Sequence, residues 1–236
     1  GLKGESVAAV LKNHSIPSPD EQAWMDPCNC LSAEMFERQI RFLSHHRHVI
    51  SVDQLVQKLH NKETLQRGTV AITFDDGYLN NLRVAAPILA RYRVPATIYL
   101  ATSYITAEEN QWIDTLYSAF RARTRHLLGL SHLALASWDL SEQHQCEQAY
   151  GAIARCLITC NPEQRRDILE AIDQQLAPAA YPPRLTMNWD EVRQLRRRYP
   201  NITIGVHTAN RVGMSAHYQR DDHEMELSVA RLMAAP

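Results

Sequence analysis

Ala71-Ile72-Thr73-Phe74-Asp75-Asp76-Gly77-Tyr78 decides how this chain is read. With Val70 in front, the run to Phe74 is short, apolar and rich in β-branched residues, the pattern of a buried strand. It passes directly into two adjacent carboxylates and a glycine. Burying a carboxylate is costly unless something neutralises it. In α/β proteins the carboxyl ends of strands are where chemistry is placed. Asp-Gly is also a common turn dipeptide, and a bare Asp-Asp-Gly reads as a turn. The apolar strand leading into it shifts the reading towards a site.

Upstream of the motif, Val7 to Leu11 reads as a first strand ending near His14. Ser32 suits a helix N-cap, and Phe36, Ile40 and Leu43 lie on one face of the helix it would start. Ser51 and Gln54 have capping-box spacing ahead of Leu55, Val56 and Leu59. After the motif strand, Leu82, Ala85, Ala86 and Leu89 mark a helix that Pro87 should bend. Pro95 to Ala101 is a further strand. Strand, helix, strand in this order predicts parallel βαβ units.

The pattern then changes. From about 107 to 180 the periodicity is helical only, through Trp112, Leu116 and Phe120, then Ala149, Ile153 and Leu157, then Ile168, Ile172 and Leu176. Asn161-Pro162 is an N-cap followed by proline at the first helical position. This predicts a helical insertion inside a single domain spanning 1–236. Strand and helix patterns resume at Asn188-x-x-Glu191, another capping-box start. Ile202, Ile204 and Val206 then alternate as a strand, which puts Thr203, Gly205 and His207 on the opposite face. The fold class expected is α/β, a distorted (β/α) barrel, closed or incomplete, carrying a helical insertion.

Composition bounds the function. Hydrophobic residues make up 45% and charged residues 22% of 236, as in a soluble globular protein. A net charge of −1 gives no electrostatic reason to expect nucleic acid as a partner. No apolar run approaches the ~20 residues of a membrane helix. The first residues lack the apolar core of a signal peptide, so the location expected is cytoplasmic. Five cysteines are an odd count in a chain too large to need disulfide staples. Cys28 and Cys30 lack two further ligands nearby for a zinc site, and Cys156 and Cys160 read as small core residues.

The motif string resembles that of the polysaccharide deacetylase (NodB-homology) family of carbohydrate esterases. The resemblance covers roughly residues 7–102 and 185–215. It implies that Asp75 is a general base and Asp76 a metal ligand. The family's second motif, His-Thr/Ser-x-x-His, is matched by His207 and Thr208, which makes His207 a second ligand. Its second histidine is replaced here by Arg211. The implied cofactor is a divalent metal, zinc, weakly bound or absent given that replacement. A guanidinium stays protonated and offers no lone pair; Arg211 would instead compensate the motif carboxylates or face solvent. The family's later Arg-x-Pro and Leu-x-His segments, an oxyanion donor and a catalytic acid, are not found.

The activity implied is metal-dependent removal of an N-acetyl or similar N-acyl group from a sugar of a bacterial surface polysaccharide or its precursor. The alternative is a deacetylase-like domain without catalysis that binds carbohydrate or a protein partner. His14 is expected to line the mouth, and Tyr78, next after the motif glycine, to be exposed as a sugar-stacking ring. Trp112 and Trp189 are core or sugar-stacking residues. His217 and His223 read as surface histidines, and so do the solvated runs His45-His46-Arg47-His48 and Arg196-Arg197-Arg198.

Overall fold

The computed structural model describes residues 7–131, 135–207 and 229–233. Its element order is β1 (Ala9–Asn13), α1 (Pro19–Gln22), α2 (Ala33–His46), β2 (His48–Val49), α3 (Val52–His60), β3 (Thr69–Phe74), α4 (Ala86–Arg91), β4 (Ala96–Leu100), α5 (Thr102–Ala107), α6 (Trp112–Arg121), β5 (Leu127–Gly129), β6 (Ser137–Asp139), α7 (Gln143–Thr159), α8 (Pro162–Leu176), α9 (Trp189–Arg198) and β7 (Ile202–Val206). The chain is mixed α/β, with a parallel sheet in the order β1-β3-β4-β7. The short β2 pairs with the beginning of β3, on the edge that β4 takes further along.

The central strand β3 is buried along its whole length. Val70, Ile72 and Phe74 point into the main core with Phe36 and Ile40 of α2, Leu89 of α4, and Val192 and Leu195 of α9. Phe36 and Phe74 meet edge to face at 5.6 Å. Alternation therefore sends Ala71, Thr73 and, past the strand end, Asp75 to the other face. Ala71 closes the base of that face in a small cluster with Ile50, Leu55 and Leu65.

Local signals hold at the helix starts. Ser32 accepts from the Met35 N–H, and Ser51, Asn161 and Asn188 each form a capping box, with Gln54, Gln164 and Glu191. The bend expected at Pro87 takes another form. A single wide π turn occupies Asn81–Ala85, with the Ala86 N–H reaching back to the Asn81 carbonyl, and Pro87 sits in the first turn of α4. The wider turn ends before the proline, whose ring and missing N–H would break a continuous helix.

The segment 107–180 is not helical throughout. Between α6 and α8 it carries the antiparallel pair β5–β6, which joins no strand of the central sheet. The strands are three residues each, too short to show a period in sequence. Leu128, Leu130 and Leu140 from this hairpin enter a second core with Leu116, Phe120, Ile153, Leu157, Ile172 and Leu176. The segment is tied to the rest of the chain by polar contacts. The Tyr150 hydroxyl donates to Asp26 at 2.8 Å, and the Ser118 hydroxyl to the Trp24 carbonyl at 3.4 Å.

Candidate active site

In a parallel pair, residues in register share a face. Lys12 pairs with Thr73, Thr73 with Thr97, Thr97 with Thr203, and Tyr99 with Gly205. Two residues further along, this row delivers His14 and Asp75, with Tyr99 and Gly205, and two residues beyond Gly205 the same alternation brings His207 to the same end and the same face of the sheet. The Asp75 Oδ2 lies 3.8 Å from His207 Nε2, 3.9 Å from His14 Nε2 and 3.9 Å from Lys12 Nζ. These separations exceed a direct hydrogen bond, and polar groups so spaced suit a bridging water or a substrate atom between them.

Asp75 is mostly buried, and its backbone N–H is anchored on the Asn13 carbonyl at 3.0 Å. Burial holds its carboxyl above the usual range; the charge of Asp76 pushes in the same direction, and His207, His14 and Lys12 pull against it. The outcome is a carboxylate more basic than usual at the end of a strand, within reach of three nitrogen-bearing side chains.

Asp76 is fully buried and, like Gly77, has a left-handed backbone, with φ values of 74° and 76°. Two successive positive φ values turn the chain sharply off the strand, and Asp and Gly are residues that tolerate them. Glycine is required at 77, because a Cβ there would stand 2.9 Å from Leu100 Cδ2 and 3.1 Å from Ile105 Cδ1. The turn is held by the Asp76 carbonyl, which accepts from the Gln111 amide at 3.3 Å and the Ala101 N–H at 3.5 Å. The His207 N–H donates to the neighbouring Leu100 carbonyl at 3.1 Å, so both residues flank the end of β4.

Tyr78 does not do what its position in the sequence suggested. It is fully buried, packs with Met25 and Leu185, and pairs as an isolated bridge with Thr186. The extended segment leading into α9 covers it, and so removes its ring from solvent. Trp112 is also buried, whereas Trp189 is half-buried with its Nε1 donating to Thr106. Arg211, Thr208, His217 and His223 lie outside the described residues.

Other residues of the site carried only weak signals. Lys12 is a charge inside an apolar strand. Tyr99 shares the face of Asp75, and burial, then the Asp75 charge, raises its hydroxyl pKa. Asn80 and Asn81 interrupt an apolar helical run, and both are buried. Asn81 donates to the His14 carbonyl at 2.9 Å, and Asn80 accepts from the Ile16 N–H and donates to Ser15, so together they pin the loop that presents His14. The five cysteines are free thiols; burial, above all, pushes Cys30 up to about 11.

Asp76 and His207 are oxygen and nitrogen donors of the kind a divalent cation such as zinc takes. Among the described residues, no group of three His, Cys, Asp or Glu side chains is arranged to enclose a metal ion. The described donors are thus chemically suited to a metal but do not make up a coordination shell on their own.

Residues 62–233 match the polysaccharide deacetylase family, and the chain belongs to it. Members of this family are hydrolases of carbon–nitrogen bonds other than peptide bonds. No curated protein sequence matches the chain. Among solved structures, a Streptococcus pyogenes deacetylase, PplD, in complex with acetate is similar at 15% identity and a TM-score of 0.50, over 95% of this chain and 66% of that one. IcaB from Ammonifex degensii is similar at 12% identity and a TM-score of 0.50, over 96% and 67%. Identities this low establish likeness of fold, that of (β/α)-barrel deacetylases. The chain spans about two thirds of the length of these two structures.

Proposed function

We propose that this chain hydrolyses the N-acetyl, or a similar N-acyl, group of a sugar in a bacterial surface polysaccharide or its precursor, with a divalent metal, zinc, as cofactor. Family membership supports the amide hydrolysis. The observation that carries the site is the convergence of Asp75, His14 and His207 at one strand end, with nitrogen atoms 3.8 to 3.9 Å from a single carboxylate oxygen.

In this reading Asp75 takes the proton of the attacking water. His14 and Lys12 face the same oxygen and orient it. Asp76 and His207 would hold the metal, which when bound acidifies a water and polarises the acyl carbonyl. Arg211 replaces the family's second histidine, so the metal is held weakly.

The test is release of free amine from N-acetylglucosamine oligomers. Activity should vanish with chelator and return with added zinc, and Asp75→Asn should lower it by at least ~10²-fold. Arg211→His should raise zinc affinity in a calorimetric titration by more than the ~10–100-fold typical of groups behind the ligands. A protein that releases no amine under any metal, and whose sugar binding survives Asp76→Ala, is instead a deacetylase-like binding domain.

A further inference from the structure

A cavity of about 1000 Å³ lies between α5, α6, α8 and the strap at 177–185, and its lining includes none of Asp75, Asp76, His14 and His207. Sites for small ligands commonly enclose ~300–1,000 Å³. A short chain of hydrogen bonds links the cavity's lining to the turn that carries Asp76. Asn110, on its lining, donates to the Pro183 carbonyl at 2.9 Å and accepts from the Leu185 N–H at 2.6 Å. The next residue is Gln111, which holds the Asp76 carbonyl. The strap in turn accepts from the Leu79 N–H at 2.7 Å, two residues past Gly77.

Four arginines line the wall; Arg166 is exposed on α8, one turn before Glu170, and the other three are committed, Arg231 to the Ser103 hydroxyl and two more within the protein. Arg165 is buried, donates to the Leu157 and Cys160 carbonyls and lies 5.2 Å over Trp112. Arg184 makes a two-point bond with Glu191 at 2.7 and 3.0 Å. Glu109 and Glu170, by contrast, line the cavity as exposed carboxylates. At its lip Tyr181 is 65% exposed, yet it is held in place by its hydroxyl, which donates to Asp173 at 3.1 Å.

An anchored aromatic face beside open carboxylates fits a sugar ring bearing a cation. The ring stacks on the apolar face of the pyranose, and the carboxylates accept from hydroxyl and ammonium groups. We propose that this cavity binds hexosamine units with free amino groups, the deacylated part of the glycan being processed; the choice of a glycan rests on the function proposed above. Held there, the finished stretch keeps the next N-acyl unit near Asp75.

Calorimetric titration with hexameric glucosamine and with hexameric N-acetylglucosamine, on the full chain, tests this. The glucosamine hexamer should bind the more tightly. Tyr181→Ala should weaken it about tenfold, and the Glu109→Gln, Glu170→Gln double variant should erase the preference for the free amine. Because all three side chains are exposed, these variants are expected to fold, which circular dichroism checks. The proposal is overturned if neither variant changes glucosamine binding, or if the acetylated hexamer binds as well as the free amine. Repeating the titration in Asp75→Asn separates the two readings. A chain that releases no amine but holds the glucosamine hexamer through Tyr181 overturns the proposed function alone. A chain that releases amine but does not bind through Tyr181 overturns only the cavity.

Discussion

Gly77 shows how tightly the motif turn is built. It combines a positive φ with a Cβ position that Leu100 and Ile105 already occupy. Gly77→Ala should therefore cost about 1–3 kcal/mol in urea denaturation, and it should shift the Asp75 carboxylate, lowering any amine release more than the stability loss explains. Gly205 makes a similar demand on the inner face, where a Cβ would stand 2.6 Å from the Tyr99 ring. Gly205→Ala must push that ring aside, and a change in Tyr99 absorbance on alkaline titration would report it. At this scale the strand ends at His14, Asp75 and His207 were legible from the apolar runs that lead into them, and the face of His207 from alternation, while the roles of Asp75 and His207 rested on the family resemblance. The burial of Tyr78 was not legible, since the segment that buries it lies more than a hundred residues further along the chain.

Among the elements, α9 carries the clearest electrostatic lock. Burial raises the Glu191 carboxyl pKa, but the Arg184 hydrogen bond, the Asn188 N–H and the charges of Arg184 and Arg83 outweigh it and hold it below the ordinary value. The folded chain thus binds fewer protons at this site than the unfolded chain. The stabilisation is present above the unfolded pKa, ~4.3, and is lost as pH falls through the folded value. Glu191→Gln should lower the urea midpoint at neutral pH, and the gap to wild type should narrow below about pH 4. Asn188→Ala, which removes the other half of the capping box, should cost ~1 kcal/mol at either pH. These capping pairs were legible because a cap is a contact between residues three apart. The π turn before Pro87 was not, because the same apolar spacing fits an α-turn and a wider one.

Among the described residues the two large apolar cores are one under the parallel sheet and one inside 112–176. Leu157→Ala empties part of the second and should cost about 2–5 kcal/mol. Hydrogen exchange should show the loss in α6, α7 and α8, while amides of β3 and β4 stay protected. Protection falling equally everywhere would mean that the two cores unfold as one.

Short-range chemistry, readable from the residues in order, decides the strands from β-branched runs, the helix starts from caps, and the face that aims His207. The hairpin β5–β6, the burial of Tyr78, the asparagine brace behind His14 and the cavity at Tyr181 were decided only when the chain packed in three dimensions. Each depends on groups far apart in the chain, and neither propensity nor periodicity carries information about which distant segment will cover a given side chain.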